Sequence, residues 1–166
     1  RTPESGAGGG YVGQITSNSF MTREFGQKLI QEFLRGQYLG EQHPKYVDLS
    51  SVIDSSRAWI PGHNSDGTPT IIIFGRPQRP ASPTVRGVMG IRGEPTQPPV
   101  PAEAPVWLEI VQNLDSPGFE GRHVAVVDLP RETLGRFPWS LSGGCANEVL
   151  KRITQSGLAP LAQEIK

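Results

Sequence analysis

The chain has 166 residues, enough for one domain with a real core. Its 16 basic and 16 acidic residues cancel, so global charge gives no support to nucleic-acid or membrane binding and leaves only a local patch as a route to either. The single cysteine, Cys145, excludes an internal disulfide framework and a multi-cysteine zinc site.

Residues 1–10 form a polar, Gly/Ser-rich lead-in that starts at Arg1 without an initiator Met. We therefore expect a fragment of a longer protein or one half of a split gene. No apolar run is long enough for a membrane span and no secretion signal is visible, so the expectation is no membrane and a cytoplasmic location. Gly (20) and Pro (16) exceed ordinary usage and predict short elements joined by many loops.

Residues 11–17, with Tyr11, Val12 and Ile15, read as a buried strand. A helix is predicted over residues 23–35, with Thr22 as its cap and Glu24 in its first turn. Phe25, Leu29, Ile30, Phe33 and Leu34 would share one face of it, and Gly36 would stop it. Residues 37–45 read as a polar loop and residues 47–54 as a second strand. A long connection, residues 55–69, leads to a third strand over 70–75. Ile71, Ile72, Ile73 and Phe74 make that strand apolar on both faces and so predict a central place in the sheet, where it could pair with the second strand.

Further strands are predicted over 85–91 and 124–129. Five prolines make residues 93–105 irregular. Residues 106–113 suit a helix or a strand, residues 131–135 a helical turn, and residues 147–155 an amphipathic helix carrying Val149, Leu150 and Ile153. The whole reads as an α/β fold.

A strand that ends in small polar residues before a helix is where α/β folds place ligands. Ser17, Asn18 and Ser19 stand at such an end, and turn formation with helix capping is their plainer reading. His63 lies in a long Pro/Gly-fixed loop with Asp66, too sparse for a metal site. A triad of His63, Asp54 and a serine fails because no serine sits in a nucleophile-elbow pattern. Cys145 after Gly143-Gly144 reads as a packed small residue rather than a nucleophile. Trp59, Trp107 and Trp139 flank Pro- or Gly-rich loops. Arg76, Arg79, Arg86 and Arg92 precede any acid up to Glu94, a local charge of +4 that points to an anionic partner.

Several blocks then occur in a distinctive order: the run 9–26 (Gly-Gly-Tyr-Val-Gly-Gln-Ile-Thr-Ser-Asn-Ser-Phe-Met-Thr-Arg-Glu-Phe-Gly), Val52-Ile53-Asp54, Ile60-Pro61-Gly62-His63, and Gly67-Thr68-Pro69-Thr70 leading into Ile71-Ile72-Ile73-Phe74-Gly75-Arg76. Gly90-Ile91-Arg92-Gly93-Glu94-Pro95 and Pro138-Trp139-Ser140-Leu141-Ser142-Gly143-Gly144 extend the series. Together they resemble adenine-specific DNA methyltransferases of the PglX type, found in the phage growth limitation and BREX defence systems of bacteria. The resemblance spans roughly residues 9–150. It implies part of a Rossmann-like fold that binds S-adenosylmethionine and methylates the exocyclic amine of adenine in double-stranded DNA.

The family's Gly-rich cofactor loop and Asn-Pro-Pro-Tyr motif lie upstream and are absent here. The resemblance therefore makes residues 11–76 the second half of the methyltransferase domain and residues 77–166 a loop-rich extension toward the target-recognition region. Residues 11–17 become the fifth strand, residues 23–35 its following helix, and residues 47–54 and 70–75 the closing pair of strands. The partners implied are DNA, the missing N-terminal half and other phage-defence proteins. The chain alone should be inactive.

A flipped adenine needs a stacking wall and hydrogen-bonding partners. The resemblance puts Trp59, Ile60 and His63 in that wall, beside Ser17, Asn18 and Ser19, and makes Arg76, Arg79, Arg86 and Arg92 the DNA contacts. The chain departs from the family pattern at Asn64, Ser65 and Asp66, which lengthen the loop after His63, and at Phe137 and Cys145. The alternative from another class is a non-catalytic DNA- or protein-binding module derived from such a half-domain. An Asn-Pro-Pro-Tyr motif encoded upstream of Arg1 would favour the enzyme.

Overall fold

The structure, a computed structural model, describes residues 10–35, 37–39, 44–60, 69–94, 96–141 and 143. Its strands are β1 (Val12–Ser17), β2 (Gln37–Leu39), β3 (Pro44–Tyr46), β4 (Asp48–Asp54), β5 (Thr70–Arg76), β6 (Thr84–Gly90) and β7 (Val124–Pro130). Helix α1 covers Pro105–Asn113 and the single turn α2 covers Arg131–Leu134. Five strands form one sheet in the order β1-β5-β4-β6-β7, and β2 pairs with β3 in a separate hairpin.

β5 runs antiparallel to both of its neighbours, from Val12↔Gly75 to Ser17↔Thr70 on one side and from Asp48↔Arg76 to Asp54↔Ile71 on the other. The apolar run at 70–75 therefore takes an interior place beside the central strand β4, second of the five, with Phe74 still 37% exposed. β6 is parallel to β4, and β7 closes the far side antiparallel to β6. The strands expected at 85–91 and 124–129 thus continue the same sheet, and the segment 106–113 resolves as helix. The sheet is mixed and open, an α/β arrangement.

Period-2 alternation sends Val52 and Ile53 of β4, and Val85 and Val88 of β6, to opposite faces. One face packs Leu49, Val52, Ile71, Val85 and Met89 against Ile30, Leu34, Leu134 and Trp139. The other packs Ile53, Val88, Val124 and Val126 against Val106 and Ile110 of α1. Each such side chain buried from water contributes roughly 1.5–3 kcal/mol.

The regular helix expected over 23–35 does not form. Short 3₁₀ turns occupy Asn18–Met21 and Glu24–Gly26, and a π-helical segment covers Leu29–Leu34. Tertiary packing decides this. Phe20 and Met21 are drawn into the core, Phe20 edge-on to Trp139 at 5.7 Å, and the Met21 carbonyl accepts the Trp139 N–H at 2.9 Å. Gly26 then lies against the Phe20 carbonyl with no room for a Cβ. Ser17 caps the first of these turns, its Oγ accepting the Ser19 N–H at 3.2 Å, while the turn at Glu24–Gly26 starts from Arg23 with no side-chain cap, so Thr22 does not act as the expected cap. The expected apolar face divides: Ile30 and Leu34 are buried, while Phe25 is 72% and Leu29 38% exposed. The Phe33 side chain lies outside the described residues, as do Gly36 and the helix expected at 147–155.

The polar loop expected at 37–45 also differs, since it carries the β2–β3 pairing. Strands of three residues are too short to leave a periodic signature.

One buried ion pair ties α2 to the sheet. Arg131 Nη2 donates to Asp48 Oδ1 at 2.8 Å and to the Leu49 carbonyl at 2.9 Å, while its Nε donates to the Ser82 carbonyl at 3.0 Å. Asp48 Oδ2 also accepts from Gln78 Nε2 at 2.9 Å and from the Ala81 N–H at 3.3 Å. Both side chains are nearly nine-tenths buried. Removing one partner of such a pair strands the other charge. Arg131→Met should lower the stability of the chain by about 3 kcal/mol, read from urea unfolding monitored by tryptophan fluorescence.

Candidate functional site

β1, β4 and β6 run in one direction, so their C-terminal ends (Ser17, Asp54 and Gly90) meet at one edge of the sheet. The start of β5 comes back to the same edge. Ser17 Oγ and Ser19 Oγ lie 2.7 Å apart, and the Asn18 N–H donates to the Pro69 carbonyl at 2.9 Å. The turn after β1 is thus fastened to the entry of β5. The turn after β4 is fastened there as well. The Ser55 N–H donates to the Thr70 carbonyl at 3.2 Å, and the buried hydroxyls of Ser55 and Thr70 bond at 2.9 Å.

Beyond Ser55, Ala58 is buried in the α1-side core, and Trp59 and Ile60 are half-buried. The Trp59 carbonyl accepts the indole N–H of Trp107, on α1, at 3.1 Å. After β6, the Ile91 and Arg92 N–H groups both donate to the His123 carbonyl, at 2.7 and 3.2 Å. His123 Nδ1 lies 3.1 Å from the Arg92 carbonyl; a carbonyl only accepts, so Nδ1 carries the proton. Glu109, also on α1, accepts the N–H groups of Arg122, His123 and Val124 at 3.0, 2.6 and 2.8 Å.

Ser17, Asn18, Ser19, Trp59, Ile60 and Arg92 therefore share one edge. His63 lies outside the described residues. Arg76 and Arg79 are at the opposite edge, where Arg76 stacks over Tyr11 at 3.6 Å and Arg79 over Tyr46 at 4.5 Å. Arg86 sits within β6, ion-paired to Asp128 at 2.7 Å and donating to the Leu114 carbonyl at 2.6 Å. Sequence reasoning passed over Arg57, which is exposed at the Trp59 edge with its Cγ beside Gly90. It took Trp107 only as one of three tryptophans that could stack a base or anchor a loop, not as a hydrogen-bond donor to Trp59, and it assigned no role to Glu109. Arg57 lies three residues beyond the strand predicted at 47–54, in a connection where no motif marks it.

A groove of about 410 Å³ follows β1 between the sheet and the segment 20–34. Val12, Phe20, Phe25, Leu29, Leu49 and Ile73 make it apolar, with Ser17 and Ser19 near one end and Arg76 near the other. The outer edge of β1 pairs with nothing among the described residues. The strand expected to be buried is instead exposed there, Tyr11 at 64%, Val12 at 61% and Ile15 at 55%, because no neighbour covers it among the described residues. Proteins normally protect such an edge with charge, proline or a cover. Among the described residues there is no group of three or more His, Cys, Asp or Glu fit to hold a metal, and no helix is long and apolar enough to cross a membrane.

An open α/β sheet whose co-directional strands end in fastened polar turns has the general form of an α/β ligand site. No family model matches the sequence. The chain is 42% identical, over 168 residues and 99% of its length, to the adenine-specific methyltransferase PglX of Streptomyces coelicolor. It spans about 13% of that protein's length. The resemblance drawn from the ordered sequence blocks is borne out: the chain is similar to one segment of a PglX-type methyltransferase along nearly its whole length.

The Ser55–Thr70 hydroxyl bond is the fastening on which the edge turns most directly depend. Ser55→Ala would leave the Thr70 hydroxyl buried without that partner. It should cost about 1–3 kcal/mol in thermal unfolding, with the larger loss if no water replaces the bond.

Proposed function

We propose that this chain is the closing part of the catalytic domain of a longer, S-adenosylmethionine-dependent DNA adenine methyltransferase, and that it supplies the acceptor side of the site. The observation that carries this reading is the bare apolar edge of β1. The strand order supports it: β5 is antiparallel between β1 and β4, as expected if these three strands are the fifth strand and closing pair of a Rossmann-like sheet. The remainder of that sheet would pair with the outer edge of β1 and cover Tyr11, Val12, Ile15 and the groove beside them. In this reading β6 and β7 belong to the extension that leads toward target recognition.

The described residues do not fit the methyl donor by themselves. The groove is apolar, its two serine hydroxyls bond each other, and it presents no carboxylate to a ribose. The donor therefore belongs to the upstream part, and the chain alone is inactive. When bound there, the donor supplies the methyl group. This chain's share is positional. An adenine rotated out of the duplex stacks against the Trp59–Ile60 segment, with Ser17, Asn18 and Ser19 offering hydrogen bonds at the neighbouring strand end. Arg92 takes a phosphate near that base. Arg76 and Arg79, on the opposite edge, serve a more distant stretch of duplex, and Arg86 is engaged by Asp128.

Trp59→Ala in the full-length protein should lower the methylation rate roughly tenfold or more, the loss expected for one base–aromatic stack, with donor affinity unchanged within about twofold. A rate equal to wild type removes Trp59 from the site. Ile15→Lys tests the edge. In the isolated chain it should change stability by less than about 0.5 kcal/mol, because the side chain is already exposed. In the full-length protein it should cost about 2 kcal/mol or more, because the charge would be buried. Equally small effects in both would sink the half-sheet reading.

A further inference from the structure

We infer that Trp107 is a positioning residue for the acceptor site: through its indole N–H it sets the backbone of the Trp59–Ile60 segment, so that α1, an element of the extension, aims the target-base wall. The inference rests on the reading of Trp59 given above.

The segment after β4 has three fixed points. Ser55 is bonded to Thr70, Ala58 is buried against α1, and the Trp59 carbonyl is held by Trp107 Nε1 at 3.1 Å. The first two hold the segment to the sheet and the core. The third is the one that acts on the residue carrying the stacking ring. A peptide plane held at its carbonyl restricts ψ of Trp59, and with it the direction in which the chain leaves toward Ile60.

Trp107 is itself well held. It packs beside Val106 and Ile110, which are 0% and 2% exposed. Glu94 accepts the Val106 N–H at 3.2 Å and so caps the start of α1. Further along the helix, the Glu109 carboxylate holds residues 122–124, and His123 in turn holds the backbone of Arg92. One helix therefore fixes two of the site's strand ends, at Trp59 and at Arg92. Indole has a single polar group, its N–H, and here that group donates to the site segment rather than to α1's own surroundings.

The test uses the full-length protein, unmethylated genomic DNA and labelled S-adenosylmethionine. Trp107→Phe keeps an aromatic ring packed against the core and deletes the N–H. The expected result is a kcat roughly tenfold or more lower, the scale of a small misplacement of a positioned group. The KM for the donor should stay within twofold, and the unfolding midpoint should be close to that of wild type. Leu108→Ala, on the exposed side of the same helix, should leave kcat unchanged. If Trp59→Ala impairs methylation while Trp107→Phe does not, the positioning role is overturned and the acceptor-site reading stands. If neither variant alters kcat, the reading itself fails and the inference goes with it. Should Trp107→Phe lower the unfolding midpoint substantially, benzothienylalanine at position 107 keeps the indole shape without the N–H. An unchanged kcat for that protein would overturn the proposal, and a tenfold loss would support it.

Discussion

The antiparallel placement of β5 between β1 and β4 is the constraint on which the rest of the arrangement depends. Its backbone is bonded on both sides, and Ile71, near its start, is fully buried. Because β5 reverses direction, the two strands beside it are forced to run parallel to each other. Their C-terminal turns then arrive together, at the point where β5 begins. Ser17, Ser55 and Thr70 meet there for that reason alone. The buried hydroxyl pair of Ser55 and Thr70, and the Asn18 bond to the Pro69 carbonyl, hold these turns to the same strand start.

The second organising contact is α1 on the opposite face from the segment 20–34. Its apolar side fills the core between Ile53, Val88 and Val126, while its polar atoms reach the strand ends. Trp107 and Glu109 are two residues apart, and each engages a different turn of the same edge. This makes the region after residue 76 part of what positions these strand ends. Without α1, the segment after β4 would lose both its apolar packing at Ala58 and its carbonyl contact at Trp59.

The segment 20–34 shows how far local propensity yields to packing. Its apolar spacing suits an α-helix, yet Phe20 and Met21 are drawn toward Trp139, and Gly26 closes against the Phe20 carbonyl. The resulting turns leave Phe25 and Leu29 beside the open groove. Exposed aromatics and aliphatics beside a bare strand edge form a surface that a neighbouring part of a longer protein would cover.

The sequence by itself determined the short apolar runs that make β1, β4, β5, β6 and β7; in β4, β6 and β7 those runs bury themselves as strands, whereas β1 leaves Val12 and Ile15 exposed. It determined that 70–75 is an interior strand, since a strand apolar on both faces is poorly suited to an edge. Its ordered blocks also carried the likeness to PglX-type proteins. Tertiary structure decided the rest. The arginines at 76, 79, 86 and 92 look like one cluster along the chain, but strand reversals send them to different edges and into an ion pair with Asp128. Trp107 and Arg57 join the Trp59 edge from distant or unmarked positions, because contact across a sheet and helix leaves no trace in local spacing.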